Sequence, residues 1–153
     1  MLIRLAIVLA ALPVAAILHL EADTVAPLAI VAALTAITVL MPASAGAALL
    51  IGYAAFAMAF ADGHPLRLGV LLMIPLLHLI HVTSALAAVV PVKTKIEPAV
   101  LKAPARRFAI VQAISFLVAA FAAFVPSGPG IGLIELLGLG SLTIVIGVVA
   151  LRI

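Results

Sequence analysis

His78, His81 and Ser84 are spaced three residues apart within 67–92, a stretch that is otherwise largely apolar. Residues three and four apart on a helix lie one above the other, so these side chains share one face. Imidazole titrates near neutrality and ligates metals as the neutral ring, which opens three chemistries: a proton or substrate path, haem or metal ligation, or hydrogen-bonding glue between helices. A haem held between helices needs a second histidine at matching depth, and the other histidine inside an apolar run, His19, falls at the end of that run. Haem-dependent electron transfer therefore ranks last, and no metal ligand or cofactor is assigned. Glue is the expected role of the stripe, with a proton or substrate path as the alternative. Either way the stripe should face protein or water rather than acyl chains.

Glu135 is the remaining candidate, one turn past the Pro/Gly-rich break at 126–130. A carboxylate in the first turn of a helix is stabilised by the positive end of the helix dipole, which is the plain reading of this residue. The functional reading adds it to an ion or substrate site with His78, His81 and Ser84. Catalytic signatures are missing: no HExxH, no phosphate-cradling glycine loop with lysine, no Ser-His-Asp set at a shared depth and no acidic pair inside an apolar run. Without cysteine there is no thiolate metal site, thiol nucleophile or disulfide. No enzymatic activity is expected.

The elements that position these groups follow from composition. Hydrophobic residues make up 68% of the chain and charged residues 8%, against about 45–50% and about 25% in soluble domains. A water-soluble fold of this composition would have no polar surface, so an all-α integral membrane protein is expected. Polar and Pro/Gly breaks divide residues 1–153 into six apolar runs, 2–20, 27–41, 46–61, 67–92, 107–125 and 131–151, read as one transmembrane helical domain. Continuous apolarity argues against a membrane barrel, whose strands alternate. The 35 uncharged residues of 27–61 admit one long kinked helix and five spans in all. Such a helix would be about 52 Å long, far beyond a hydrocarbon core of about 30 Å, so a hairpin turning at 42–46 is favoured. Pro13 and Pro75 lie inside runs and should kink them.

Five of the eight basic residues, Lys93, Lys95, Lys102, Arg106 and Arg107, cluster in 93–107. Cytoplasmic loops carry such an excess, so this segment is expected inside the cell. With six spans, both termini are then cytoplasmic, while Glu21, Asp23, Asp62 and His64 lie outside. A nucleic-acid partner is not expected from the net charge of +3, since the charges form a topology signal rather than a phosphate-binding face. The start has the shape of a signal peptide, with small residues at 22–26, but Pro27 follows the best cleavage point, and a retained first helix is expected.

Small residues such as Ala109, Ala113, Ala119, Ala123, Gly138, Gly140 and Gly147 suit close helix–helix approach. Tryptophan is absent and Tyr53 lies mid-run, which leaves the aromatic interface belt poor. Together with the scarcity of reactive groups, this predicts a non-catalytic subunit or assembly partner of a larger membrane complex. The expected partners are the bilayer and other membrane subunits or further copies of the chain. A small transporter or channel for protons, ions or lipids is the alternative. A bacterial inner, or plasma, membrane is the expected location.

Overall fold

The computed structural model describes residues 2–61, 66–92, 94 and 97–124. Among these the chain is helical without strands: α1 is Leu2–Ala22, α2 Ala26–Leu40, α3 Gly46–Phe60, α4 Leu68–Val89 and α5 Pro98–Ala122. The last expected run, 131–151, lies outside the described residues. Contacts divide the chain into two units, Met1–Ala119 and Ala120–Ile153. The first holds the bundle. Of the second, only the final residues of α5 and the turn to Phe124 are described.

α1, α4 and α5 are long and apolar enough to cross a membrane. α2 and α3 have 15 residues each, or about 22 Å of helix, short of a full hydrocarbon core. The chain turns between them at 41–45, and no continuous helix runs through 27–61. Met41 N–H returns to the Ile37 carbonyl at 2.8 Å, Ser44 N–H bonds the Met41 carbonyl at 2.9 Å, and Gly46 N–H donates to Ser44 Oγ at 3.2 Å. These bonds satisfy some of the backbone groups that two helix ends leave free, groups that an apolar surrounding cannot solvate.

α1 stops by a different device. Asp23 takes a left-handed conformation, φ 48°, and its N–H bonds the His19 carbonyl at 3.0 Å, a left-handed helix cap. Asp is among the few residues other than glycine that visit this region readily. The His19 ring pairs through Nδ1 with the Thr24 carbonyl at 2.7 Å, and Pro27 then opens α2 where its missing N–H costs nothing.

α1 packs against α2, α3 and α4. Its buried residues, Ile7, Ala10, Ala11, Val14 and Leu18, recur every three to four positions and form one stripe. Val31 from α2, Leu50 and Ala54 from α3 and Ile80 from α4 complete the core. Many large apolar side chains, including Leu5, Leu9 and Leu12, point outward. Such a surface suits acyl chains, where association rests on close packing and hydrogen bonds rather than on escape from water. α1 and α4 run through Pro13 and Pro75 without interruption.

α5 departs from expectation at its start. The segment expected as a loop up to residue 107 is helical from Pro98 onward, so Lys102, Arg106 and Arg107 sit on a helix. Charge does not break the helix here, because Lys and Arg are good helix formers, and Pro98 occupies a helix start where its missing N–H is harmless. Pro104 lies in the interior and removes a single backbone bond.

Candidate functional site

α4 and α5 place His78 beside a polar group that the sequence reading did not single out. Gln112 Nε2 donates to His78 Nδ1 at 2.6 Å. The Phe108 ring stacks on the imidazole with centroids 4.8 Å apart and planes 26° from parallel. Because His78 meets Phe108 and Gln112 while Leu86 shares a groove with Pro104, residue numbers rise along one helix as they fall along the other. The two helices are antiparallel.

This arrangement constrains the chemistry of His78. As acceptor from the amide, Nδ1 is unprotonated, so a neutral ring carries its proton on Nε2. Gln112 is the one residue of α5 that is buried among the described positions. Its Oε1 has no hydrogen-bond partner there. Were the amide turned over, Oε1 would accept from Nδ1–H instead. As placed, the other end of Gln112 has no partner among the described residues, so its bond to His78 is hard to replace. The sequence carried a signal for this, since Gln112 is the only side-chain amide in the chain and lies within an apolar run.

The other expected members are not gathered around His78. His81 is exposed and lines a groove of about 300 Å³ between α4 and α5, shared with His78, Val82 and Ala85 of α4 and with Arg107 and Val111 of α5. Ser84 is buried, but its hydroxyl donates to the His81 carbonyl at 2.9 Å, back into its own helix. Thr83 does the same toward the Leu79 carbonyl at 2.6 Å. Along the stripe, His78 packs against α5, His81 is exposed beside the α4–α5 groove, and Ser84 is satisfied within its own helix. Three residues along α4, about 60° around its axis, separate a side chain under α5 from one at its flank. Glu135, Lys93 and Lys95 lie outside the described residues. No cluster of three or more metal-ligating side chains occurs among the described residues.

A second polar site closes one end of the bundle. Arg67 Nε donates to Glu21 Oε2 at 2.8 Å, and Arg67 Nη2 donates to the Met58 carbonyl at 3.3 Å. The end of α1, the end of α3 and the start of α4 meet there. Comparison with known protein families, curated proteins and solved structures gives no match.

The histidines yield a direct test. His78→Leu should destabilise the bundle by about 1–2 kcal/mol, because Gln112 loses its partner while buried. Adding Gln112→Leu should recover part of that loss, since two apolar side chains can face each other without penalty. His81→Leu should leave stability unchanged. Equal losses from His78→Leu and His81→Leu in detergent unfolding would contradict the assignment.

Proposed function

We propose that this chain is a non-catalytic subunit or assembly partner of a larger membrane complex. The supporting observation is a groove of about 550 Å³ between α1 and α2, floored by the small side chains Ala11, Ala15, Ala32 and Ala36. Small residues let a further helix approach closely. Thr35 lines the same groove and its buried hydroxyl has no partner among the described residues, unlike Thr38, which bonds the Leu34 carbonyl at 2.8 Å. The intramembrane polar groups also favour this reading: His78 is committed to Gln112 and Ser84 to its own backbone, which leaves few groups to carry a substrate. Purification of the full chain in mild detergent should retain a stoichiometric larger membrane partner. Recovery of a clean monomer from cells expressing it at native level would count against the proposal.

The alternative, a small transporter using the α4–α5 groove, is favoured by one feature, the joint presence of His78, His81 and Arg107 along it. Protein-dependent flux of protons or ions in liposomes, abolished by His81→Leu, would decide for it.

The proposed topology has six spans in a bacterial inner membrane, with both termini and the basic segment inside. The meeting of Glu21, Met58 and Arg67 at one end of the bundle supports the alternation of α1 to α4 that this topology requires. The chain has no native cysteine, so single introduced cysteines report cleanly. Those at Ser44 and Lys95 should be shielded from an impermeant thiol reagent added outside cells, and one at His64 should react. Labelling of Ser44 from outside would overturn the arrangement.

A further inference from the structure

We propose that Lys102, Arg106 and Arg107 form a binding site for the headgroup of an anionic phospholipid, with one acyl chain laid along the groove between α4 and α5. This inference rests on the membrane reading and does not depend on the chain being a subunit.

The three cations lie on one face of α5. With Ala99, Ala103 and Ile110 they line a hollow of about 530 Å³, at the three- and four-residue spacing of a helical stripe. The alanines form a low floor, and the long cationic side chains stand around it. All three cations are exposed, and among the described residues the ion pair is Glu21–Arg67, elsewhere in the fold, so no carboxylate there neutralises them.

Charge stops abruptly beyond this patch. From Phe108 to Phe124 α5 and the turn after it hold no charged residue. The boundary between headgroup and hydrocarbon therefore falls near Arg107, and long basic side chains at such a boundary extend toward the headgroups. Clusters of Lys and Arg beside a membrane span attract anionic lipid, and the planar guanidinium of Arg matches a phosphate with two parallel hydrogen bonds.

Arg107 also belongs to the neighbouring groove, whose remaining walls are mostly apolar: Val82, Ala85 and Leu86 on α4, Phe108 and Val111 on α5. A cationic patch thus continues directly into a cleft that is apolar apart from His78 and His81. Free phosphate would use the first and have no use for the second, whereas a phospholipid matches both. The occupant is therefore a lipid from the adjoining leaflet.

The test uses the full chain in phosphatidylcholine vesicles doped with spin-labelled phosphatidylglycerol or spin-labelled phosphatidylcholine. The wild-type protein should immobilise the anionic lipid preferentially, and high salt should weaken that preference, a result that needs no variant. Neutralising Lys102→Gln, Arg106→Gln and Arg107→Gln singly and together should lower the preference by up to about fivefold for each charge. Ala85→Phe, which fills the cleft and keeps every charge, should lower it as well. A charge-matched control, Arg4→Gln with Lys93→Gln and Lys95→Gln, should retain it. Absence of any preference in the wild type, equal loss in the control, or full displacement of the lipid by inorganic phosphate at constant ionic strength would each overturn the proposal, the last by pointing to a soluble anion.

Discussion

Gly46→Val should open the α2–α3 hairpin at a cost of about 3 kcal/mol, the upper part of the range for overpacking. A Cβ at this position would lie 2.9 Å from Thr38 Oγ1, 3.0 Å from Ile37 Cγ2 and 3.1 Å from the Thr38 amide nitrogen. The Ile37 methyl can shift, but the Thr38 amide nitrogen is backbone and moves only with α2 itself. Thr38 is wholly buried and its hydroxyl is already bonded to the Leu34 carbonyl, so it has nowhere to retreat. Gly52 provides the internal control, since a Cβ there meets nothing within 4 Å. Gly52→Ala should be neutral or stabilising by up to about 1 kcal/mol through helix propensity alone. Unfolding by sodium dodecyl sulfate in mixed micelles, followed by helicity, measures both. If the two variants unfold at the same detergent fraction, α2 and α3 do not approach as closely as described.

The second large effect concerns the pair that ties α1 to α4. The side chains of Arg67 and Glu21 are 16% and 20% accessible, placing the pair between the surface and the interior. Exposed pairs contribute about 0–1 kcal/mol, whereas removing one partner of a fully buried pair costs about 3–5 kcal/mol. Arg67→Leu should therefore cost about 2 kcal/mol, part of it from the Met58 carbonyl left without its donor. Glu21→Leu in the same chain should restore a share of the loss, because the solitary carboxylate is then gone, and the double-mutant cycle isolates the coupling. Gly69→Ala approaches the same contact from another side. Its Cβ would fall 2.5 Å from Glu21 Oε1, and since a carboxylate can swing away, the expected result is a weakened pair rather than a broken fold. Strict additivity of Arg67→Leu and Glu21→Leu would show that the pair contributes nothing.

Both sites illustrate how much was legible beforehand. The breaks at 42–46 and 62–65 were plain from Pro and Gly, so both ends of α2 and α3 and the start of α4 fall within a residue of the expected positions. The pairing of Glu21 with Arg67 was not legible, because it depends on which helix stands next to α1, and apolar runs of similar composition do not say. The same holds for Gln112. Its rarity could be seen, but its meeting with His78 depends on the rotation and axial register of α5 against α4.

The error at α5 has a different origin. Charge density does not end a helix, because a helix tolerates Lys and Arg as readily as Leu, and what charge marks is the depth at which the chain leaves hydrocarbon. In the proposed lipid site that point lies near Arg107, while the helix itself begins at Pro98. A helix boundary and a membrane boundary are set by different forces, backbone hydrogen bonding for one and solvation of charge for the other, and here they lie about two and a half turns apart.

Composition and spacing by themselves determined that this chain is apolar and helical, because 68% hydrophobic residues in uncharged runs can satisfy their backbone groups in hydrocarbon only as helices. Period and punctuation located most of the helices and put His78 and His81 on one stripe. Only the tertiary structure decided which half of that stripe is covered. His78 lies under Phe108 and against Gln112, while His81 opens onto the groove beside Arg107. The physical reason is that a helix face spans far more than one side chain, and the line along which a neighbour crosses it is chosen by the packing of both partners, which neither run encodes alone.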